Sequence, residues 1–190
     1  MTEFVFVSGR RCLDFAGTLL WRRTLRAELL NTPDDLRAWA QQGHLIDEMA
    51  APEPADLVAA VALRESVYGT IRHAIGDGPA PVAAEVESLN ELARGPLPAL
   101  TLTGQSTTRS LGSYVHVASS LARDTIELIG SEDLARVKEC ANEDCTRMFV
   151  DHSRGMSRRW CGMAECGNRA KAAMYRKRKK LRENDFSSAE

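Results

Sequence analysis

Four cysteines in the last quarter of the sequence constrain the fold of this chain more than any other feature. Cys140, Cys145, Cys161 and Cys166 follow the spacing C-x4-C-x15-C-x4-C. Two close pairs separated by a loop can bring four thiolates to one point, which is the tetrahedral ligand set of a structural Zn²⁺ site. The segment is poor in apolar residues, so metal binding would supply most of its folding free energy. The spacing therefore predicts one Zn²⁺ per chain.

Other uses of these cysteines fit the spacing less well. The pairs are not C-x-x-C, the spacing of many redox-active dithiols. A catalytic zinc normally has three protein ligands and a water. His152 lies between the two pairs and could replace one cysteine as a ligand. Cys12 is remote in sequence and is predicted to be a small buried side chain.

The cellular setting follows from composition and from the N-terminus. No stretch approaches the roughly 20 apolar residues of a membrane-spanning helix, so no membrane association is predicted. The first residues lack the pattern of a signal peptide. We therefore expect a cytoplasmic protein, in which the reducing environment favours metal binding over disulfides.

Charge divides the chain into two regions. Residues 1–135 contain 11 basic and 18 acidic side chains, a net charge of −7, whereas residues 136–190 contain 14 and 8, a net charge of +6. A basic segment attached to an acidic body is typical of proteins in which the basic part meets a polyanion. Charge alone favours the simpler interpretation, a well-solvated helix.

The residues around and after the second cysteine pair suggest how a polyanion would be bound. RAKAAMYRKRKKLR, residues 169–182, favours a helix with an apolar seam and two basic flanks. The preceding loop adds guanidinium groups, which pair with phosphates or guanine edges. The predicted nucleic-acid-binding residues are Arg154, Arg158, Arg159, Arg169, Lys171, Arg176, Arg178, Lys180 and Arg182. Trp160 could stack on a base or support the zinc site.

Residues 1–135 are predicted to form a mainly helical α+β domain with a small β element. The FVFV run indicates a short strand, and periodicity and capping residues indicate helices over 33–42, 54–75, 82–93 and 114–129. Alternating Thr and Leu over 99–111 indicate a hairpin. In the last helix, the predicted inner face is Val115, Ala118, Ala122, Ile126 and Ile129. Residues 136–190 are predicted to be a treble-clef- or ribbon-like four-cysteine zinc finger ending in a basic helix.

Two regions of the sequence resemble known families. The run D-x-S-R-x-x-x-R-R-W-C-x-M-x-x-C-G-N-R-x-K, from Asp151 to Lys171, resembles the CGNR zinc finger. CLDFAGT and TPDDLRAWA resemble the ABATE domain that usually precedes this finger. The resemblance implies zinc at the four cysteines and a role in transcription regulation or RNA binding. It also implies that the N-terminal domain senses stress or a small-molecule effector, although Gly17 stands where the family tends to have Asn.

Taken together, the sequence predicts a zinc-finger nucleic-acid-binding protein that regulates transcription, with DNA and RNA both open as ligands. One alternative is a protein-interaction module whose finger grips an acidic partner. Another is an enzyme or ligand sensor in the N-terminal domain. The sequence favours a protein that is not an enzyme, because Asp14, His73 and His116 form no recognisable catalytic spacing.

Overall fold

The computed structural model describes residues 3–104, 107–168 and 172. The described helices are α1 (Arg11–Ala16), α2 (Pro33–Gln42), α3 (Pro54–Ala74), α4 (Ala83–Ala93) and α5 (Tyr114–Ile129). The strands are β1 (Leu19–Leu20), β2 (Ala27–Glu28), β3 (Glu48–Met49), β4 (Ala99–Thr103), β5 (Thr107–Gly112), β6 (Val137–Glu139) and β7 (Met148–Val150). A 3₁₀ helix (Glu132–Arg136) precedes β6, and a π-helical turn (Met163–Gly167) follows the last loop. The protein is thus a mixed helix-and-strand fold with a C-terminal four-cysteine cluster, as the sequence predicts.

The short helix α1 lies at the centre of the molecule and contacts α3, α5 and β7. Its apolar side chains are almost fully buried, and the ring of Phe15 lies 4.9 Å from that of Trp39 on α2. The carboxylate of Asp124 on α5 accepts the backbone N–H of Cys12 at 2.7 Å. This contact satisfies an N–H group that the first turn of a helix leaves without an intrahelical partner.

The strands form three small sheets. β1 and β2 form an antiparallel hairpin, and β3 runs parallel to β5, which pairs antiparallel with β4. β6 pairs antiparallel with β7, so that Lys138 lies opposite Phe149. Arg64 on α3 is buried and forms two hydrogen bonds of 2.6 and 2.7 Å to Glu28 on β2. This bidentate pair fixes the first hairpin to the helix.

Strand β7 connects the main core with the cysteine cluster. Met148 and Val150 belong to the same buried cluster as the helices, although both follow residue 135. Phe149, between them, packs with the four cysteines instead. Because successive side chains of a strand point to opposite faces, one three-residue strand contributes to both cores.

The predicted strand at FVFV is wrong, because residues 4–7 pair with no other strand in the part of the chain that the structure describes. The backbone N–H groups of Val7 and Ser8 instead donate to one carboxylate oxygen of Asp14, at 3.0 and 2.9 Å. The carbonyl of Ser8 accepts the N–H of Val150 at 2.8 Å. A side chain therefore takes the place that a neighbouring strand would have.

The predicted inner face of α5 is partly wrong. Ala118 and Ala122 are buried as expected, but Val115 is 51% exposed and Ile126 is 40% exposed. The buried face includes Ser119 and Thr125 instead, because each hydroxyl donates to the backbone carbonyl four residues earlier. Bonded in this way, a small polar side chain can lie in a core where the sequence pattern expects an apolar one.

The other predicted helices of residues 1–135 and the hairpin are confirmed, whereas the predicted basic helix over 169–182 lies outside the described residues. α2 begins after Thr32, whose hydroxyl accepts the N–H of Asp35 at 3.2 Å while the Asp35 carboxylate accepts the N–H of Thr32 at 2.9 Å. α3, α4, α5 and the β4–β5 hairpin lie within a residue or two of the predicted ranges. None of the described helices is both long enough and apolar enough to cross a membrane.

Candidate metal centre

The four cysteines lie on two tight turns. Cys140 directly follows β6, and its N–H donates to the carbonyl of Arg147 at 3.0 Å. Cys145 donates its N–H to Asn142 at 2.8 Å and closes the first turn. In the second turn, the N–H groups of Cys166 and Gly167 both donate to the carbonyl of Gly162, at 3.1 and 2.9 Å. The N–H of Ala141 donates to the carbonyl of Arg159 at 2.9 Å, which holds the two turns together.

The sulfur atoms of these cysteines are positioned to bind one metal ion. All four Sγ atoms lie within 4.8 Å of one another, and all four residues are buried. The Sγ atoms of Cys145 and Cys161 are 3.8 Å apart. A tetrahedral zinc site with Zn–S bonds of about 2.3 Å requires sulfur atoms separated by about 3.8 Å. The cluster therefore fits a single Zn²⁺, which would cross-link the two turns.

The four thiols are close enough for hydrogen bonds between them to shift their pKa values in opposite directions. Hydrogen bonds from Cys145 and Cys161 lower the pKa of Cys140 to about 2. The hydrogen bond to Cys140 raises the pKa of Cys145 to about 12, and hydrogen bonds to Cys140 and Cys145 raise the pKa of Cys161 well above its ordinary value. One thiolate is thus stabilised while its neighbours are kept protonated. A divalent ion held by the four cysteines would favour the thiolate form of each, and its binding would release the remaining protons.

Two N–H groups near the cluster donate hydrogen bonds to cysteine sulfur atoms. The N–H of Cys161 donates to Sγ of Cys140 at 3.4 Å, and Nδ2 of Asn142 donates to Sγ of Cys166 at 3.6 Å. Such donors orient metal ligands and offset part of the thiolate charge. His152, the alternative ligand, is not part of the cluster. Its side chain is exposed, with Nδ1 4.0 Å from the carboxylate of Asp133.

The loop between the cysteine pairs is organised by Asp151, which the sequence analysis did not single out. One oxygen of its buried carboxylate accepts the N–H of Ser153 at 2.9 Å, and the other accepts the N–H of Arg158 at 2.9 Å and Nζ of Lys138 at 2.7 Å. Burial opposes its ionisation, but these hydrogen bonds outweigh burial and hold the pKa of Asp151 well below its ordinary value. The Asp-x-Ser sequence, typical of side-chain-capped turns, is the signal that could have identified it.

Arg158 has a structural position. Its guanidinium donates to the carbonyls of Val7 at 2.8 Å and Trp160 at 3.0 Å, and also to that of Cys161. It lies 4.1 Å from the centre of the Phe149 ring. The side chain therefore joins the loop, the second cysteine turn and the N-terminal segment.

Arg154 and Arg159 differ from Arg158. Both residues are exposed, and neither guanidinium is paired with a carboxylate among the residues that the structure describes. Arg159 lies 5.6 Å from the centre of the Trp160 ring. Trp160 itself packs against the cysteine cluster, which agrees with one of its two predicted roles, that of supporting the site. Six further predicted nucleic-acid contacts lie outside the described residues: Arg169, Lys171, Arg176, Arg178, Lys180 and Arg182.

Comparison with protein families gives two matches that together cover most of the chain. Residues 9–132 match the ABATE model, whose description is "Putative stress-induced transcription regulator". Residues 136–179 match the model of the CGNR zinc finger. No curated protein matches the chain.

Proposed function

This chain belongs to the ABATE family and carries a CGNR zinc finger, and on that premise we propose that it regulates transcription by binding nucleic acid through the finger. We further propose that residues 1–135 and 136–190 act as body and finger, that the protein is cytoplasmic and that it is not an enzyme. The cytoplasm suits the finger because four reduced thiols are available there for a metal.

The observation that carries the proposal is a pair of arginines without carboxylate partners among the described residues, on the loop beside the second cysteine turn, in a protein where most described arginines of residues 1–135 are paired. All 11 basic residues of 1–135 are arginines, and eight of them form ion pairs with carboxylates: Arg10, Arg22, Arg23, Arg37, Arg64, Arg72, Arg94 and Arg109. Arg154 and Arg159 form no such pair in the described part of the chain. Two exposed, unpaired guanidinium groups on an ordered loop suit phosphate oxygens.

The residues that follow the loop and the second cysteine turn in sequence are also rich in positive charge. The loop precedes the second cysteine turn directly, and residues 169–182 continue from that turn with eight Lys or Arg side chains. Zinc would hold the second cysteine turn and the loop before it in place, so metal binding and nucleic-acid binding should be linked.

The test is the salt dependence of binding by the full-length, zinc-loaded protein. Each neutralised phosphate contributes a log–log slope of about −0.9 on duplex DNA. The double variant Arg154→Ala/Arg159→Ala should bind unrelated duplexes more weakly and flatten the slope by about two units. Replacing Lys171 and Arg178 by Ala should have a similar effect on all sequences alike.

The matched control is Arg37→Ala/Arg94→Ala, because Arg37 is partly exposed and Arg94 is exposed, and the two are paired with Asp34 and Glu87. This variant should bind like the wild type. If the wild-type protein shifts neither duplex DNA nor structured RNA at micromolar concentration and low salt, the proposal is wrong, and the finger is better assigned to an acidic protein partner.

A further inference from the structure

An open cleft of about 590 Å³ lies between the N-terminal segment and the second cysteine turn. Its lining includes Val7, Arg158, Arg159, Trp160, Cys161 and Met163. We infer that this cleft receives an unstacked base of single-stranded nucleic acid. The inference rests on the proposed nucleic-acid binding and adds the kind of strand that the finger prefers.

The walls of the cleft are fixed by contacts already in place. Trp160 is half-buried against the cysteine cluster, so zinc binding would hold its ring in position. Arg158 donates to the carbonyl of Val7 on one wall and to that of Cys161 on the other. A site whose walls do not need to be ordered on binding loses less entropy when a ligand enters.

The side chains that line the cleft match the two parts of a nucleotide, its base and its phosphate. Trp160 offers an aromatic ring, and the thioether of Met163 is 50% exposed; both suit the flat face of a base. The guanidinium of Arg159, near the ring, is unpaired with any carboxylate in the described part of the chain and suits the adjoining phosphate.

The base must be unpaired because the faces of duplex bases are already covered by their neighbours. Single-stranded segments expose these faces, and proteins bind them by stacking on aromatic side chains beside a basic groove. An apolar cleft bordered by a free cation therefore favours a single strand over a duplex.

The experiment compares three fluorescein-labelled probes of equal length at one salt concentration: a single-stranded 12-mer, its duplex, and an abasic strand with the same phosphates. The full-length, zinc-loaded protein should bind the single strand most tightly and the abasic strand at least fivefold more weakly. Trp160→Leu should weaken single-strand binding by about 5- to 150-fold, the range expected for one lost stacking contact. Duplex binding should change less than twofold.

Met163→Gln preserves size and charge and provides a second variant in case Trp160→Leu loses its metal. It should weaken single-strand binding severalfold while retaining one zinc per chain. Trp21→Leu is the matched control, because Trp21 is also half-buried but does not line the cleft. It should leave the preference for the single strand unchanged.

The outcomes separate this inference from the proposed function. Equal binding of single strand, duplex and abasic strand, unaffected by Met163→Gln, would overturn the cleft assignment and leave nucleic-acid binding intact. Failure to bind any probe would overturn both. Binding of an acidic peptide that Met163→Gln abolishes would assign the cleft to a protein partner instead.

Discussion

The body and the finger of this chain achieve the same end, an ordered fold, by different means. The body buries a continuous cluster of aliphatic and aromatic side chains around α1. The buried cluster of the finger consists of four cysteines and Phe149, with Trp160 packed against it. In the first region, stability comes from removing apolar surface from water; in the second, it depends on a metal ion. Side chains of the same type should therefore respond differently in the two regions.

The largest difference between the two regions is expected in the effect of replacing a cysteine. Cys145→Ser removes one of four thiolates, and because structural zinc contributes apparent binding energies of about 10–16 kcal/mol in isolated fingers, the finger should lose its metal and its fold. Cys12→Ser is the control: Cys12 is fully buried in the body, and its replacement should lower stability without changing the zinc content. Elemental analysis should give about one zinc per chain for the control. A Cys145→Ser protein that retains full zinc would contradict the assignment.

A smaller difference is expected between neighbouring residues of β7. Met148→Ala opens a cavity in the main core and should lower the free energy of unfolding by about 2–5 kcal/mol, measured by denaturant unfolding followed by circular dichroism. Phe149→Ala removes the ring that packs on the cysteines and should chiefly weaken zinc binding, measured by competition with a chelator.

If Met148→Ala and Phe149→Ala lower unfolding free energy and zinc affinity in equal proportion, the two faces of β7 do not belong to separate cores.

The division at residue 135 remains a prediction. Because Val137, Met148 and Val150 all contribute to the core of the body, a chain truncated after residue 135 should be less stable than the full chain.

The smallest difference between the two regions is expected in how two buried carboxylates, one in each region, affect stability as the pH changes. Burial raises the pKa of Asp14 despite its hydrogen bonds from Ser8 and Val7. Burial also acts on Asp151, but there the hydrogen bonds, led by that from Lys138, overcome it and lower the pKa. A raised pKa means that Asp14 contributes stability below its unfolded pKa of about 3.9, and that this contribution is lost as the pH rises through the folded pKa.

Asp14→Asn would keep the acceptor oxygen but could not ionise, so the stability of this variant relative to the wild type should increase as the pH rises from about 4 through the folded pKa of Asp14. Denaturant unfolding of both proteins in the same series of buffers from about pH 4 to about pH 8 measures this difference. Asp151→Asn should have the opposite sign, destabilising the loop at neutral pH. A gain in stability for Asp151→Asn would show that the hydrogen bond from Lys138 is dispensable.

The predictable part of the structure is the part set by local sequence. The spacing of the cysteines predicts the metal site because each pair lies on one tight turn, and Thr32 predicts the start of α2 because its cap involves residues three apart. The face of α5 was not predictable from apolar periodicity, since Thr125 is buried through a hydrogen bond to its own helix.

The three loop arginines show a second limit of sequence-based prediction. Arg154, Arg158 and Arg159 look equivalent in the sequence, and only the fold brings the carbonyls of Val7 and Cys161 within reach of Arg158. The sequence also does not show that the two faces of β7 belong to different cores. Met148, Phe149 and Val150 are all apolar, so they show no alternation of apolar and polar residues from which the two faces could be predicted.

Strand β7 also bears on how such a finger could be exchanged between proteins. A segment cut at residue 136 and fused to another protein would carry Met148 and Val150, which are almost completely buried in this chain, to a partner without a matching surface. The recipient would need an apolar cavity shaped for these two side chains, in addition to a linker. Recombination that preserves function should therefore move the finger together with a helix equivalent to α1, rather than as an independent cassette.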